Sequence, residues 1–131
     1  MIVLDTHALV WWVTDAPDLS AHARRVIRAT VRRGPALASA ISVFEIATAV
    51  RRARLQLGVS LDQWLRDLRT LPDLRLEPVT ADIAQLAGTL EASLPGDPAD
   101  RIIVATAIEL KAKLVTADDR LRLSPRVETV W

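Results

Sequence analysis

Four short acidic stretches stand out when the chain is searched for groups that can do chemistry. Asp5 directly follows the apolar run Ile2-Val3-Leu4, and Glu45 stands in Ser42-Val43-Phe44-Glu45. Asp97 and Asp100 precede an apolar run through Ile102, Ile103, Ile108 and Leu110, and Asp118 and Asp119 follow Leu114-Val115-Thr116. Carboxylates gathered in one place raise one another's pKa and cannot all stay ionised unaided. A hard divalent cation such as Mg²⁺ or Mn²⁺ relieves that repulsion, because it takes oxygen ligands and keeps several waters. Such an ion acidifies a bound water and neutralises charge on a phosphoryl oxygen, and with arginines nearby the natural substrate is a phosphodiester.

Each acid also has a plainer use. Ser42 and Glu45 match the S-x-x-E capping box. Asp97 followed by Pro98 reads as an N-cap with proline at the first helical position, and Asp100 as a first-turn acid that favours the helix dipole. Asp118 and Asp119 are good turn formers. Asp5 is the hardest to explain in this way, since an acid at the end of a buried strand is costly unless paired. The deciding question is where the elements put these groups.

The apolar runs predict strands at Ile2–Leu4, Ala36–Ser39, Leu74–Val79, Leu114–Thr116 and Val127–Val130. The second is weak because alanine is a poor strand former, and the third, interrupted by Arg75, Glu77 and Pro78, suits an edge. Between them the spacing predicts helices after Asp5, after Ser20, from Ser42 towards Leu57 with Gly58 as its stop, from Leu61 to about Leu71, from Thr80 through Leu94, and from Asp97 to Leu110. A short turn or helix is expected over Asp118–Leu123. Strands alternating with helices imply a parallel sheet covered on both faces, with right-handed crossovers. Helices then run antiparallel to strands, so strand carboxyl ends and helix amino ends share one edge. Asp5, Glu45, Asp100 and Asp118 all fall on that edge, where such folds bind ligands.

Composition bounds the rest. The chain has 131 residues, enough for one domain (1–131) with a real core. It has no cysteine, hence no thiolate chemistry and no disulfide framework. There is no apolar run long enough to span a membrane, and the amino-terminal stretch lacks the basic region of a signal peptide, so a cytoplasmic protein is expected. The formal charge is +1, but 15 of the 17 basic residues are arginine, concentrated in Arg24–Arg33 and Arg51–Arg54. These are solvated helix faces or a phosphate-contacting surface. His7 is placed to line a cleft and His22 lies among arginines. No Gly-rich phosphate loop and no G-x-S-x-G elbow is present.

Four blocks then carry a resemblance. Met1 to Trp12, Ser42 to Ala47, Asp97 to Ala107 and Leu114 to Asp118 are similar, in order and spacing, to the signature blocks of PIN-domain proteins, and most of all to VapC-type toxins of prokaryotic toxin–antitoxin pairs. The resemblance implies a three-layer α/β/α PIN-like fold with a mainly parallel sheet of four or five short strands, and a Mg²⁺- or Mn²⁺-dependent endoribonuclease. It implies that Asp5 and Asp100 hold the metal, that Glu45 and Asp118 complete the acidic site, that Thr6 and Thr116 orient acids and waters, and that Arg101 supports the site through pairing. Asp97 matches an extra acid of uncertain role, and Asp119 is a spare carboxylate if the turn is shifted by one residue. The implied partners are RNA, a cognate antitoxin and a second copy of the chain. Trp11, Trp12, Trp64, Leu55 and Leu57 are apolar groups that suit either such an interface or the core.

Two other classes compete. A phospho-receiver domain has a similar acidic pocket, but wants an acidic pair after the first strand and a lysine after a late one; here Asp5 is alone and Lys113 precedes its strand. A catalytically silent PIN-like RNA-binding module is the other, and four intact acids argue against it.

Overall fold

The computed structural model describes residues 1–131. The chain runs β1 (Ile2–Leu4), α1 (Thr6–Val13), α2 (Ala21–Val31), β2 (Ala36–Ser39), α3 (Ile41–Arg51), α4 (Leu61–Arg69), β3 (Leu74–Glu77), α5 (Ala81–Thr89), α6 (Pro98–Glu109), β4 (Lys113–Val115), α7 (Asp119–Arg122) and β5 (Thr129–Val130). The five strands form one parallel sheet in the order β3-β2-β1-β4-β5. Leu4 lies opposite Ala38 on one side and Val115 on the other, which brings the carboxyl ends of β1, β2 and β4 level. The edge position of β3 agrees with its charged, proline-terminated sequence.

The alternation of side chains along each strand divides the core in two. Ile2, Leu4, Ala36, Ala38 and Val115 face one layer, where they pack with Ala8 and Leu9 of α1, Ala23 and Ile27 of α2, Ile46 of α3 and Trp64 and Leu68 of α4. Val3, Leu37 and Leu114 face the other, against Ile83 and Ala87 of α5, Ile103, Val104 and Ala107 of α6 and Leu121 of α7. Trp64 is therefore a core residue, while Trp11, Trp12, Leu55 and Leu57 are only partly buried around that core. This is the three-layer α/β/α architecture expected from the sequence.

Two helices end earlier than their apolar spacing suggests. α3 stops at Arg51 rather than near Leu57. Ala53 adopts a positive φ of 56°, and the N–H groups of Ala53 and Arg54 bond back to the carbonyls of Val50 and Ala49. That is a Schellman closure, usually marked by glycine and here made by alanine, so no local signal announces it. α5 stops at Thr89 rather than Leu94. The carbonyls of Ala87, Leu90 and Glu91 are taken by the guanidinium of Arg101, which reaches across from α6.

Candidate active site

The carboxyl edge of the sheet carries a cleft of about 350 Å³ lined by Asp5, Thr6, His7, Trp11, Glu45, Asp97, Asp100, Ala117, Asp118 and Arg120. All four acids singled out from the sequence meet there, beside the point between β1 and β4 where the strand order reverses and parallel folds open a crevice. A second cleft, about 710 Å³ and lined by Met1, Arg32, Arg33 and Arg75 among others, opens at the opposite edge and contains none of them.

Asp5 ends β1 and is only 8% exposed. One carboxylate oxygen caps α1 by accepting from the Ala8 N–H at 2.9 Å, and the neighbouring Thr116 hydroxyl favours the charged form of the carboxylate. Thr116 is fully buried after β4, and its hydroxyl accepts from the Asp118 N–H at 3.0 Å. One threonine thus ties the acid of β1 to the acid beyond β4.

Glu45 is held differently. The reading of Ser42 and Glu45 as a capping box is overturned: α3 begins after Ala40, which makes no side-chain cap. Ser42 already lies inside the helix, fully buried, with its hydroxyl 2.8 Å from that of Thr6. The Thr6 hydroxyl donates to Glu45 Oε1. The pattern that resembles a local cap is a long-range clamp between α1 and α3, so Ser42 belongs to the site and was missed as such.

Asp97 does cap α6, accepting from the N–H groups of Ala99 at 2.8 Å and Asp100 at 3.3 Å, and it also lines the cleft. Asp118 caps the one-turn helix α7, whereas Asp119 points to solvent and pairs with Arg122 at 3.1 Å, away from the cleft. The alternative in which Asp119 replaces Asp118 does not hold. Nor does Arg101 pair with an acid, since its donors are occupied by the carbonyls closing α5. The arginine at the site is Arg120, which the sequence reading passed over. It binds Asp118 bidentately, Nε to Oδ1 at 3.1 Å and Nη2 to Oδ2 at 2.8 Å, and its Nη2 lies 3.9 Å from Asp100. The Asp-x-Arg spacing in a first helical turn was the available signal.

The electrostatics follow from this packing. Burial raises the pKa of Asp5, and burial also raises that of Glu45, against the opposing hydrogen bond from Thr6. Asp100 is pushed up to about 6, first by burial and then by Asp97, Glu45, Asp118 and Asp5. Asp118 moves the other way because Arg120 donates to it. As they stand, no three acidic or histidine side chains close on one point tightly enough to clasp an ion. The donor set nevertheless suits a hard divalent cation: it is all carboxylate and hydroxyl oxygen, three of its acids are destabilised as anions, and the cleft has room for an ion with several waters. Arg120, with a side chain 67% exposed, is free to move off Asp118.

The chain belongs to the PIN domain family, whose model matches residues 2–125. It is 39% identical over 132 residues to ribonuclease VapC22 of Mycobacterium tuberculosis, an alignment covering 99% of this chain and 98% of that protein. Among solved structures, it superposes on VapBC2 from Rickettsia felis bound to a promoter DNA fragment with a TM-score of 0.71 at 18% identity, covering 98% of this chain and 97% of that one. It superposes on the FitAcB structure from Neisseria gonorrhoeae with a TM-score of 0.70 at 22% identity, covering 98% and 96%. At these identities the two structures attest the fold alone.

Proposed function

We propose that this chain is an endoribonuclease that cleaves RNA phosphodiester bonds with the help of Mg²⁺ or Mn²⁺, and that it serves as the toxin of a type II toxin–antitoxin pair. The observation that carries the reading is the convergence of Asp5, Glu45, Asp100 and Asp118 on one cleft. The similarity to a ribonuclease along nearly the whole of both chains supports RNA as the substrate.

In this reading Asp5 and Asp100 would hold the cation, and Glu45 and Asp118 would complete the acidic site, through waters or a second metal. The bound ion supplies charge neutralisation at the phosphoryl oxygen and an acidified water. Thr116 fixes the carboxylate of Asp5 relative to Asp118, and Thr6 with Ser42 fixes that of Glu45. Burial makes Glu45 a better base than a solvated carboxylate, so its Oε2 is suited to take the proton of the attacking water. Arg120, released from Asp118, is placed to pair with a phosphate oxygen. Asp97 holds the first turn of α6, and with it Asp100, in place.

The partners follow from the same reading. A cognate antitoxin covers the cleft, a second copy of the chain packs on the partly buried tryptophans of α1, and the complex works in the cytoplasm; no helix is long and apolar enough to cross a membrane. The test is an RNA cleavage assay on the purified chain. Cleavage should require Mg²⁺ or Mn²⁺, stop with a chelator and fall sharply in Asp5→Asn and Asp100→Asn. Cleavage at the parental rate by either variant overturns the site assignment. If no small protein encoded next to the chain binds it or relieves its toxicity, the toxin assignment falls.

A further inference from the structure

A groove of about 700 Å³ adjoins the acidic cleft, and the chemistry above makes no use of it. It shares Thr6, His7, Trp11, Glu45 and Asp97 with the cleft and continues along α3. Phe44, the residue before Glu45, lies in it with 65% of its surface exposed. Leaving an aromatic ring in water forgoes stabilisation that burial provides, and Phe44 is the only phenylalanine in the chain. Phe44, Thr48 and Arg51 follow one another at helical spacing along the groove, with Arg52 and Arg54 beside them. None of these three arginines makes a salt bridge. From Phe44 to Arg51 the helix rises about 10 Å, close to two turns.

The geometry points to this groove as the seat of an unpaired RNA strand next to the scissile phosphate, with one base stacked on Phe44 and backbone phosphates on Arg51, Arg52 and Arg54. The inference rests on the ribonuclease reading and adds a substrate form to it. Phe44 and Glu45 are neighbours on one helical turn, so a strand entering the cleft passes the ring. Flat aromatic surface beside unpaired arginines is the arrangement that holds single strands, since every base offers a face for stacking and every step a phosphate. A duplex keeps its bases stacked within itself and offers the ring nothing. The charge matches at both ends: the acids take a cation, the arginines take phosphates.

The test uses a short fluorescein-labelled oligoribonucleotide of mixed sequence, bound to the full chain carrying Asp100→Asn to suppress turnover. Phe44→Ala should weaken binding about 5- to 150-fold, the range for losing one base–aromatic stack. Phe44→Trp should restore it and Phe44→Leu should not. Replacing Arg51, Arg52 and Arg54 by Gln should reduce the slope of log affinity against log salt by about 2, at about 0.7 per phosphate contact on a single strand. The same sequence annealed into a duplex should be insensitive to Phe44→Ala. Parental affinity in both Phe44→Ala and the triple variant overturns the inference, as does loss of self-association or of antitoxin capture with RNA binding intact, which makes the groove a protein interface. The ribonuclease reading fails separately, when the parent chain itself cleaves no RNA.

Discussion

Two helix amino ends deliver acids to the cleft, and they do so by opposite means. At α6, Asp97 caps the helix through its side chain and Asp100 rides on the turn so fixed. At α3, the helix starts on Ala40 with no side-chain cap, and Ser42 and Glu45, the residues best suited to capping, turn towards Thr6 of α1. The first N–H of α3, that of Ile41, is taken instead by the hydroxyl of Ser39 at the end of β2, at 3.1 Å. Polar groups that bond to a distant element instead of their own helix end fix the Glu45 carboxylate at the cleft through α1 rather than through α3 itself.

Substitutions at the two ends test that contrast. The largest effect is expected from Asp100→Asn and Asp5→Asn, which should lower RNA cleavage by about 100-fold or more, the scale of losing one charge-stabilising group from an active site. Steady-state cleavage with Mg²⁺ reads this directly.

Next is the pH dependence of the metal-free protein. The pKa of Asp100 is raised in the fold from 3.8 to about 6. A carboxyl raised on folding stabilises the folded state below its unfolded pKa, and that contribution is lost as pH rises through the folded value. Chelator-treated protein should therefore gain stability between about pH 7 and pH 4, by about 1–3 kcal/mol at 1.36 kcal/mol per pKa unit. The gain should shrink in Asp100→Asn, as measured by denaturant unfolding. Asp5 and Glu45 shift in the same direction and add to it.

Asp97→Ala should cost about 1 kcal/mol, the worth of an N-cap, and lower the melting temperature. Glu45→Gln should not; relieved of a charge that burial disfavours, the metal-free protein should melt no lower than the parent while cleavage falls. If the two variants lose equal stability, the contrast between the helix ends is wrong. The smallest effect is expected at Arg120. Arg120→Ala removes the cation beside Asp118 and Asp100, and should raise affinity for Mn²⁺, read by calorimetry, even though cleavage declines.

Much of the fold was legible because its signals are local. Strand runs and the caps Ser20, Ser60, Thr80 and Asp97 mark element starts wherever a side chain bonds to its own helix. The early end of α3 was not legible, because its closing residue is Ala53 rather than glycine. The end of α5 was hidden because Arg101, remote in sequence, satisfies its carbonyls. The same distinction governs the site. Asp5, Glu45, Asp100 and Asp118 could be assigned to one edge from chain direction alone, whereas Arg120 and Ser42 gained their places through partners on other elements.

The amino-acid sequence by itself determined the alternation of strands and helices, and hence the edge on which the acids gather, because hydrophobic period and helix direction are properties of short segments. Only the tertiary structure decided what each polar group does there. Ser42 reaches Thr6 across 36 positions, Thr116 joins Asp5 to Asp118, and Arg101 closes a helix rather than pairing with an acid. A hydrogen bond belongs to the donor that arrives nearest in space, and that is settled only when the layers pack.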